Sequence, residues 1–141
     1  MSTRVLLADN HKLFRQALRA LLEQEPGISV VAEAEDGVSA IQQVRDLQPD
    51  VVIMDVVMPC LNGIEATRRI LSAHPEVKVI ALSLHEDTRF VEAMLSARAK
   101  GYLMKDMDSK ALVQAIHRVA EGGTCFCARL RGQFSPPGHS S

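Results

Sequence analysis

Short apolar runs alternate along this chain with longer segments in which apolar residues recur at helical spacing. Five runs of four to six residues fit β-strands. The first and third are almost continuously apolar, which is typical of strands covered by helices on both faces of a parallel sheet. The strands predicted from these runs are Val5–Ala8, Ile28–Ala32, Val51–Met54, Val77–Leu82 and Gly101–Met104.

Helices are predicted between the strands, because apolar side chains three and four residues apart fall on one face of a helix. Asp36, Asp87 and Asp108 stand where N-cap side chains are expected. The predicted apolar faces consist of Leu13, Ala17, Leu18, Leu21 and Leu22 in the first helix, Val38, Ile41, Val44 and Leu47 in the second, and Leu112, Ile116 and Val119 in the last.

The strict alternation of strands and helices predicts an α/β fold. We expect five βα units in a doubly wound, flavodoxin-like parallel sheet with the strand order 2-1-3-4-5. Residues 1–123 are predicted to form this single domain. Residues 124–141 lack periodicity and end in a segment rich in Ser, Pro and Gly. They are predicted to be a linker or tail and not a second domain.

Composition narrows the possible functions. The chain has 141 residues, 47% of them hydrophobic, and a formal charge of −1, as one globular domain would have. Without a basic excess, a protein whose main task is to grip nucleic acid through its phosphates is disfavoured. An odd number of cysteines, three, argues against a disulfide framework, and neither a signal peptide nor a membrane span is recognisable in the sequence. We therefore expect a cytoplasmic protein without membrane contacts.

Polar residues follow the predicted strands at the edge where ligands bind in sheets of this type. They are Asp9 and Asn10 after the first strand, Asp55 after the third, Ser83 after the fourth and Lys105 after the fifth. Hard oxygen ligands suit Mg²⁺, and a carboxylate can attack phosphorus to form an aspartyl phosphate. A hydroxyl and an ammonium group would then hold the remaining phosphoryl oxygens.

Several motifs at these positions resemble those of a receiver domain of a two-component response regulator, in particular of the NarL/LuxR-type transcriptional regulators. The resemblance extends over roughly residues 4–123. The motifs that carry it are Leu6-Leu7-Ala8-Asp9, Asp55-Val56-Val57-Met58-Pro59, Gly63-Ile64-Glu65-Ala66-Thr67-Arg68, Ala81-Leu82-Ser83 and Gly101-Tyr102-Leu103-Met104-Lys105-Asp106.

The resemblance implies a role for each matching residue. Asp55 would be the phosphoacceptor, and Lys105 would bind a phosphoryl oxygen or pair with Asp55 before phosphorylation. Ser83 would follow the phosphoryl group, and Tyr102 would be the aromatic residue whose rotamer reports the switch. The ligands of Mg²⁺ would come from Asp9, Asn10, Asp55 and the backbone carbonyl of Val57.

The resemblance also implies a signalling function. A sensor histidine kinase would donate the phosphoryl group, and the chain would be a regulator and not an enzyme, with only self-catalysed phosphoryl uptake and slow autodephosphorylation. In a longer parent protein it would control a DNA-binding transcriptional effector. DNA would be bound only through that C-terminal helix-turn-helix domain, which this sequence lacks. A homodimer is a further expected partner.

Asn10 departs from the family pattern, in which a second acid usually stands. Its amide could cap the first helix, or its oxygen could contact a weakly held metal ion. If the substitution abolishes metal binding, the alternative function is a pseudo-receiver that acts through docking or dimerisation.

Other residues allow two interpretations. Tyr102 could be a switch reporter or a packed core residue. Cys60 and His85 lie near the predicted site and could modulate it, although a solvated loop position is the simpler interpretation of His85. Cys125 and Cys127 form a single C-x-C pair, too little for a zinc site, and are expected to be exposed thiols.

Overall fold

The computed structural model describes residues 2–84 and 87–126. Within these ranges the chain alternates strictly between strands and helices. The strands are β1 (Thr3–Ala8), β2 (Ile28–Ala34), β3 (Val51–Asp55), β4 (Lys78–Ser83), β5 (Gly101–Met104) and β6 (Cys125–Phe126). The helices are α1 (Lys12–Glu23), α2 (Gly37–Leu47), α3 (Gly63–Ala73), α4 (Thr88–Ser96) and α5 (Ser109–Ala120). No helix in the described ranges is both long and apolar enough to cross a bilayer.

All strand pairs of the sheet are parallel, and the strand order is β2-β1-β3-β4-β5-β6. The predicted doubly wound, flavodoxin-like order is therefore confirmed for the first five strands. In the register of β1 with β3, Ala8 lies opposite Met54. Because parallel strands end at the same edge of the sheet, the residues that follow, Asp9 and Asp55, are brought side by side.

A sixth strand was not predicted. Cys125 and Phe126 pair in parallel with Gly101 and Tyr102, at the start of the segment expected to be a linker or tail. The prediction of an exposed thiol is wrong for Cys125, which is buried against β5. A two-residue strand has too few positions to show alternation, so periodicity could not reveal it. Cys127 and the rest of the predicted tail lie outside the described residues.

Three of the helix starts follow the prediction. The carboxylates of Asp36, Asp87 and Asp108 each accept a hydrogen bond from a main-chain N–H in the first turn of α2, α4 and α5. Asn62 caps α3 in the same way, by accepting from the amide of Glu65. These bonds satisfy N–H groups that have no partner within the helix.

The prediction that Asn10 caps α1 is wrong. His11 is the N-cap residue, and its side chain makes no capping bond. The amide of His11 instead donates to Asp9 Oδ1 at 2.8 Å. This local Asx-type bond turns the chain one residue later than the sequence suggested, and it leaves the Asn10 side chain exposed.

Two apolar cores cover the faces of the sheet. Helices α1 and α5 pack on one face through Leu18, Leu22 and Ile116, and α2, α3 and α4 pack on the other. The predicted apolar face of α1 is wrong at its beginning, because Leu13 is 82% exposed while the charged Arg15 is buried. Ala17 in α1 and Val38 in α2 are exposed as well.

Helix α3 approaches the end of β3 so closely that only glycine fits at its first position. The amide of Gly63 donates to the carbonyl oxygen of Val56 at 2.9 Å. A β-carbon on Gly63 would overlap the carbonyl oxygen of Asp55, which is backbone and cannot turn aside. Gly63 therefore fixes the distance between α3 and the strand that carries Asp55.

We predict that Gly63→Ala lowers the free energy of unfolding by about 2 kcal/mol or more, because β3 and α3 must separate. Gly27→Ala is the matched control. Its β-carbon would meet only the edge of the His117 ring, at 3.1 Å, and that side chain can move. Urea denaturation of both variants measures the difference, and equal losses of stability would contradict the close approach at Gly63.

Candidate functional site

The site begins at Asp9, the first residue after β1. Its main-chain N–H donates to the carbonyl oxygen of Ala34 at 3.0 Å, so that it continues the pairing of β1 with β2. Its side chain is buried, with Oδ1 bonded to the His11 amide and Oδ2 at 2.8 Å from the Nζ of Lys105. Asp9 is thus held through both its backbone and its carboxylate.

Asp55 is the last residue of β3 and is 5% exposed. Its Oδ1 accepts a bond from the amide of Val57 at 3.3 Å, and its Oδ2 accepts one from Lys105 Nζ, also at 3.3 Å. Val57 lies in the loop that follows, with a half-exposed side chain. The predicted proximity of Asp9, Asp55 and Lys105 is therefore present in the structure.

Lys105 connects the two acids. It follows β5, and its amide donates to the carbonyl oxygen of Ser83 at 2.8 Å, which continues the pairing of β4 with β5. Its side chain is only 3% exposed. The ammonium group lies between Asp9 and Asp55 and 4.7 Å from the centre of the Phe14 ring, a distance that allows a cation–π contact.

The pKa of Asp55 is raised by its surroundings. Burial raises the pKa of its carboxyl group above the ordinary value of 3.8, and the neighbouring charge of Asp9 raises it further. The ammonium of Lys105 and the hydrogen bond from Val57 lower the pKa but do not cancel the increase. Ionisation of Asp55 is therefore less favourable in the folded protein than for an exposed carboxyl group, and another positive charge at this edge would stabilise the ionised form.

Ser83 is the last residue of β4, and Tyr102 is the second residue of the neighbouring strand β5. Ser83 is 1% exposed and Tyr102 is fully buried. Their side chains share a hydrogen bond, while burial raises the pKa of the Tyr102 hydroxyl above its usual value of 10.0. Tyr102 is thus a packed core residue in this structure, and its ring is linked to the end of β4 by that bond.

Three side chains converge closely enough to hold a metal ion. Ligand atoms of Asp9, His11 and Asp55 all lie within 4.8 Å of one another. The two buried carboxylates fit Mg²⁺, which binds proteins through one or two carboxylates and otherwise keeps water ligands. Two carboxylates face a single ammonium group, and the negative charge left over is a second reason why a cation fits here.

His11 is a site residue that sequence reasoning missed. Its side chain is 56% exposed, which is typical of an ordinary surface residue. Its Nδ1, however, lies 3.2 Å from Lys105 Nζ and 3.4 Å from Asp9 Oδ1. Its position two residues after a strand-end acid was the available signal. Phe14, in α1, was not among the predicted site residues either.

Asn10 and Cys60, two other predicted residues, do not take part in the ion pairs. Asn10 is exposed beside Asp9, and Cys60 is exposed in the loop between β3 and α3, with a positive φ of 68°. His85 lies outside the described residues.

Comparison with known proteins agrees with this geometry. The family model of the response regulator receiver domain matches residues 5–117, most of the chain. The chain belongs to the response regulator receiver family.

Relatives of this receiver include transcriptional regulators. It is 44% identical over 119 residues to the transcriptional regulatory protein DegU of Brevibacillus brevis, covering 84% of this chain and 50% of that protein. It is 41% identical over 131 residues to the response regulator UvrY of Escherichia coli, covering 93% of this chain and 60% of that protein. The chain therefore spans about half to three fifths of the length of these curated relatives.

Solved receiver structures share the fold. A LuxR-family two-component response regulator from Aurantimonas sp. has 34% identity, a TM-score of 0.89 and coverage of 94% of both chains. The signal receiver domain of a NarL response regulator from Mycobacterium tuberculosis has 30% identity and a TM-score of 0.83, with 86% of this chain and 98% of that chain covered. These likenesses confirm the flavodoxin-like topology and the predicted NarL/LuxR-type resemblance.

The raised pKa of Asp55 leads to a prediction about stability. A carboxyl group whose pKa is higher in the folded than in the unfolded state contributes stability that is complete below the unfolded pKa and is lost as the pH rises through the folded one. We therefore expect Asp55→Asn to melt at a higher temperature than the unsubstituted receiver at neutral pH. The difference should shrink as the pH falls towards about 4.

Differential scanning calorimetry across this pH range measures the effect. Asp46→Asn is the matched control, because Asp46 is exposed and pairs only with Arg45 on the surface of α2. If Asp55→Asn is less stable than the unsubstituted receiver at neutral pH, the electrostatic description of the site is wrong.

Proposed function

We propose that this receiver is a phosphorylation switch in which Asp55 accepts a phosphoryl group from a sensor histidine kinase in the presence of Mg²⁺. The observation that carries the proposal is the Lys105 ammonium, buried between the carboxylates of Asp9 and Asp55. A lysine in this position neutralises part of the negative charge of two acids. It also remains close enough to contact an oxygen of a group attached to either acid.

The proposed reaction is the transfer of a phosphoryl group from a phosphohistidine to Asp55. A carboxylate oxygen of Asp55 forms a bond to phosphorus as the bond from phosphorus to the donor imidazole breaks, and the imidazole leaves with the bonding electrons. Bound Mg²⁺ would offset the charge of the phosphoryl oxygens. The backbone bonds that hold Asp9 and Lys105 would keep the surrounding charges in position during the transfer.

Asp9, Asp55, the amide oxygen of Asn10 and the backbone carbonyl of Val57 are the proposed holders of Mg²⁺. The two carboxylates have a supporting observation, because their oxygens lie within 4.8 Å of each other and of His11 Nδ1. The exposed amide of Asn10 is supported only by its place in the loop next to Asp9.

Ser83 and Tyr102 are the proposed relay. In the phosphorylated form the Ser83 hydroxyl would bond to a phosphoryl oxygen. Lys105 would exchange its bond to the Asp55 carboxylate for a bond to another phosphoryl oxygen. Ser83 could no longer keep its present bond to Tyr102 unchanged. The ring would respond by a change of packing at the face formed by α4 and β5. Cys60 and the unplaced His85 remain candidates for modulating the lifetime of the phosphoryl group.

In this proposal the receiver acts as a regulator with self-catalysed phosphoryl uptake and slow autodephosphorylation. Its relatives named as transcriptional regulators support an output in transcription, exerted through a DNA-binding domain of a longer protein. We assign residues 1–123 to the receiver and the segment that follows to a connection, whose first residues add β6 to the sheet. Homodimerisation and a cytoplasmic location belong to the same proposal.

We predict that Asp55→Asn abolishes Mg²⁺-dependent uptake of phosphate from a small phosphodonor such as acetyl phosphate, because an amide is no nucleophile towards phosphorus. Intact-protein mass spectrometry detects one added phosphoryl group in the unsubstituted receiver. Asp106→Asn, an exposed strand-end neighbour of Lys105, is the control and should retain uptake. Uptake by Asp55→Asn at the unsubstituted rate would refute the assignment of the acceptor. If the unsubstituted receiver takes up no phosphate at any Mg²⁺ concentration, the proposal as a whole fails.

Asn10→Asp should lower the Mg²⁺ concentration needed for half-maximal phosphorylation. An added carboxylate beside Asp9 strengthens the attraction for a divalent cation by roughly 1–2 kcal/mol, which is about a tenfold change. The control is Asn62→Asp at the start of α3, which adds the same charge where the side chain already caps a helix. Equal Mg²⁺ midpoints for Asn10→Asp and the unsubstituted receiver would mean that residue 10 does not contact the metal ion.

A further inference from the structure

Arg15 is a buried charged residue that the proposed reaction does not use. It lies in the second turn of α1 and its side chain is 7% exposed. The guanidinium group has two close partners, the carbonyl oxygen of Asp9, 2.6 Å from Nη1, and Glu33 Oε1, 2.6 Å from Nε. A third partner, the Glu35 carboxylate, lies 3.6 Å from Nη2 and is itself largely exposed. Arg15 therefore joins the end of β2 to the backbone at the beginning of the site.

Glu33 is held in its turn by two arginines. Its Oε1 accepts from Arg15 and its Oε2 accepts from Arg19 Nη1, also at 2.6 Å. Partial burial acts to raise the pKa of Glu33, but the hydrogen bonds from Arg19 and Arg15 lower it below its ordinary value. The charge-assisted bond from Arg15 Nε to Glu33 Oε1 orients the planar guanidinium of Arg15 towards the Asp9 carbonyl.

The Asp9 carbonyl belongs to the peptide group that links Asp9 to Asn10. The Asp9 amide is already bonded to Ala34, and the Asp9 carboxylate to Lys105 and the His11 amide. The bond from Arg15 fixes the remaining polar group of Asp9. With the Asp9–Asn10 peptide plane fixed, the direction of the Asn10 side chain and the placement of the Asp9 carboxylate beside Asp55 are both restricted.

We propose that Arg15 is a positioning residue for the metal-binding loop, and that the Arg15–Glu33 pair presets the geometry in which residues 9 and 10 receive Mg²⁺. This inference rests on the proposed function, since it concerns the affinity of the same site. Residues that orient metal ligands from behind typically change metal affinity by about 10- to 100-fold when they are replaced.

The direction in which Arg15→Gln changes the Mg²⁺ affinity distinguishes a positioning role from a purely electrostatic one. Replacing Arg15 by glutamine removes a positive charge from the neighbourhood of a cation site, and on charge alone the variant should bind Mg²⁺ more tightly. Loss of the bond to the Asp9 carbonyl acts in the opposite direction, because the loop must be ordered when the ion binds. We expect Arg15→Gln to bind Mg²⁺ about tenfold more weakly than the unsubstituted receiver.

Arg19→Gln is the matched control. Arg19 lies one turn further along α1, carries the same charge and bonds to the same Glu33, but its bonds go to Glu33 and Glu23 and not to Asp9. We expect this variant to keep the Mg²⁺ dissociation constant within about twofold. Arg15→Lys keeps the charge but cannot form the same fork to two acceptors, and it should also bind Mg²⁺ more weakly.

Two measurements on the full chain test the proposal. Isothermal titration calorimetry with Mg²⁺ alone gives the dissociation constants, and amide hydrogen exchange without metal reports the opening of residues 9–11. Faster exchange at Asn10 and His11 together with weaker Mg²⁺ binding, in Arg15→Gln but not in Arg19→Gln, is the expected result. If Arg15→Gln does not fold, Glu33→Gln is measured in its place, because it removes the anchor and retains the guanidinium.

The outcomes distinguish this inference from the proposed function. Unchanged or tighter Mg²⁺ binding by a folded Arg15→Gln overturns the positioning role, as does an equal loss in Arg19→Gln. If the unsubstituted receiver binds no Mg²⁺, the proposed function fails, and unchanged exchange at Asn10 and His11 in Arg15→Gln would then refute the positioning role separately.

Discussion

The arrangement of the whole carboxyl edge of the sheet depends on one interaction, the contact of the Lys105 ammonium with the carboxylates of Asp9 and Asp55. Parallel pairing of β1 with β3 forces the two acids together, because each follows its strand at the same edge. Burial is the main cause of the raised pKa of Asp55, and repulsion from the neighbouring carboxylate of Asp9 raises this pKa further. The single positive charge of Lys105 offsets only part of the negative charge of the two carboxylates. A further positive charge would therefore be attracted to the site.

The fold could be predicted from the sequence because its strands are nearly continuous apolar runs, as in Val51–Met54, and such runs are buried on both faces of a parallel sheet. The convergence of Asp9, Asp55, Ser83 and Lys105 followed from the same topology. Errors occurred where local polar bonds override the hydrophobic pattern. Leu13 is exposed and Arg15 is buried because the first turns of α1 pack against the polar edge of the sheet and not against its apolar centre.

The cap of α1 illustrates the same limit. Asn is as good an N-cap as Asp, so the sequence favoured Asn10. The Asp9 carboxylate decides instead that His11 is the N-cap residue, because it accepts a bond from the His11 amide. That bond depends on the position of Asp9, which β1 and Lys105 fix. Such a bond results from tertiary structure, and a one-dimensional pattern cannot contain it. The two-residue strand β6 escaped prediction for a related reason, since its pairing with Gly101 and Tyr102 is decided by the partner strand.

The backbone bonds of Asp9 and the repulsion between the Asp9 and Asp55 carboxylates affect different properties of the site. The bonds of Asp9 to Ala34 and Arg15 restrain the position of the acid, whereas the repulsion between Asp9 and Asp55 concerns only its ionisation. If the backbone were loose, the acids could move apart and relieve the repulsion, and the affinity for a cation would fall with it. The two carboxylates therefore stay close together, despite their repulsion, only because the backbone bonds of Asp9 hold it in place. On this reasoning the ion pairs behind the site, between α1 and β2, bear on its chemistry as directly as the residues that face it.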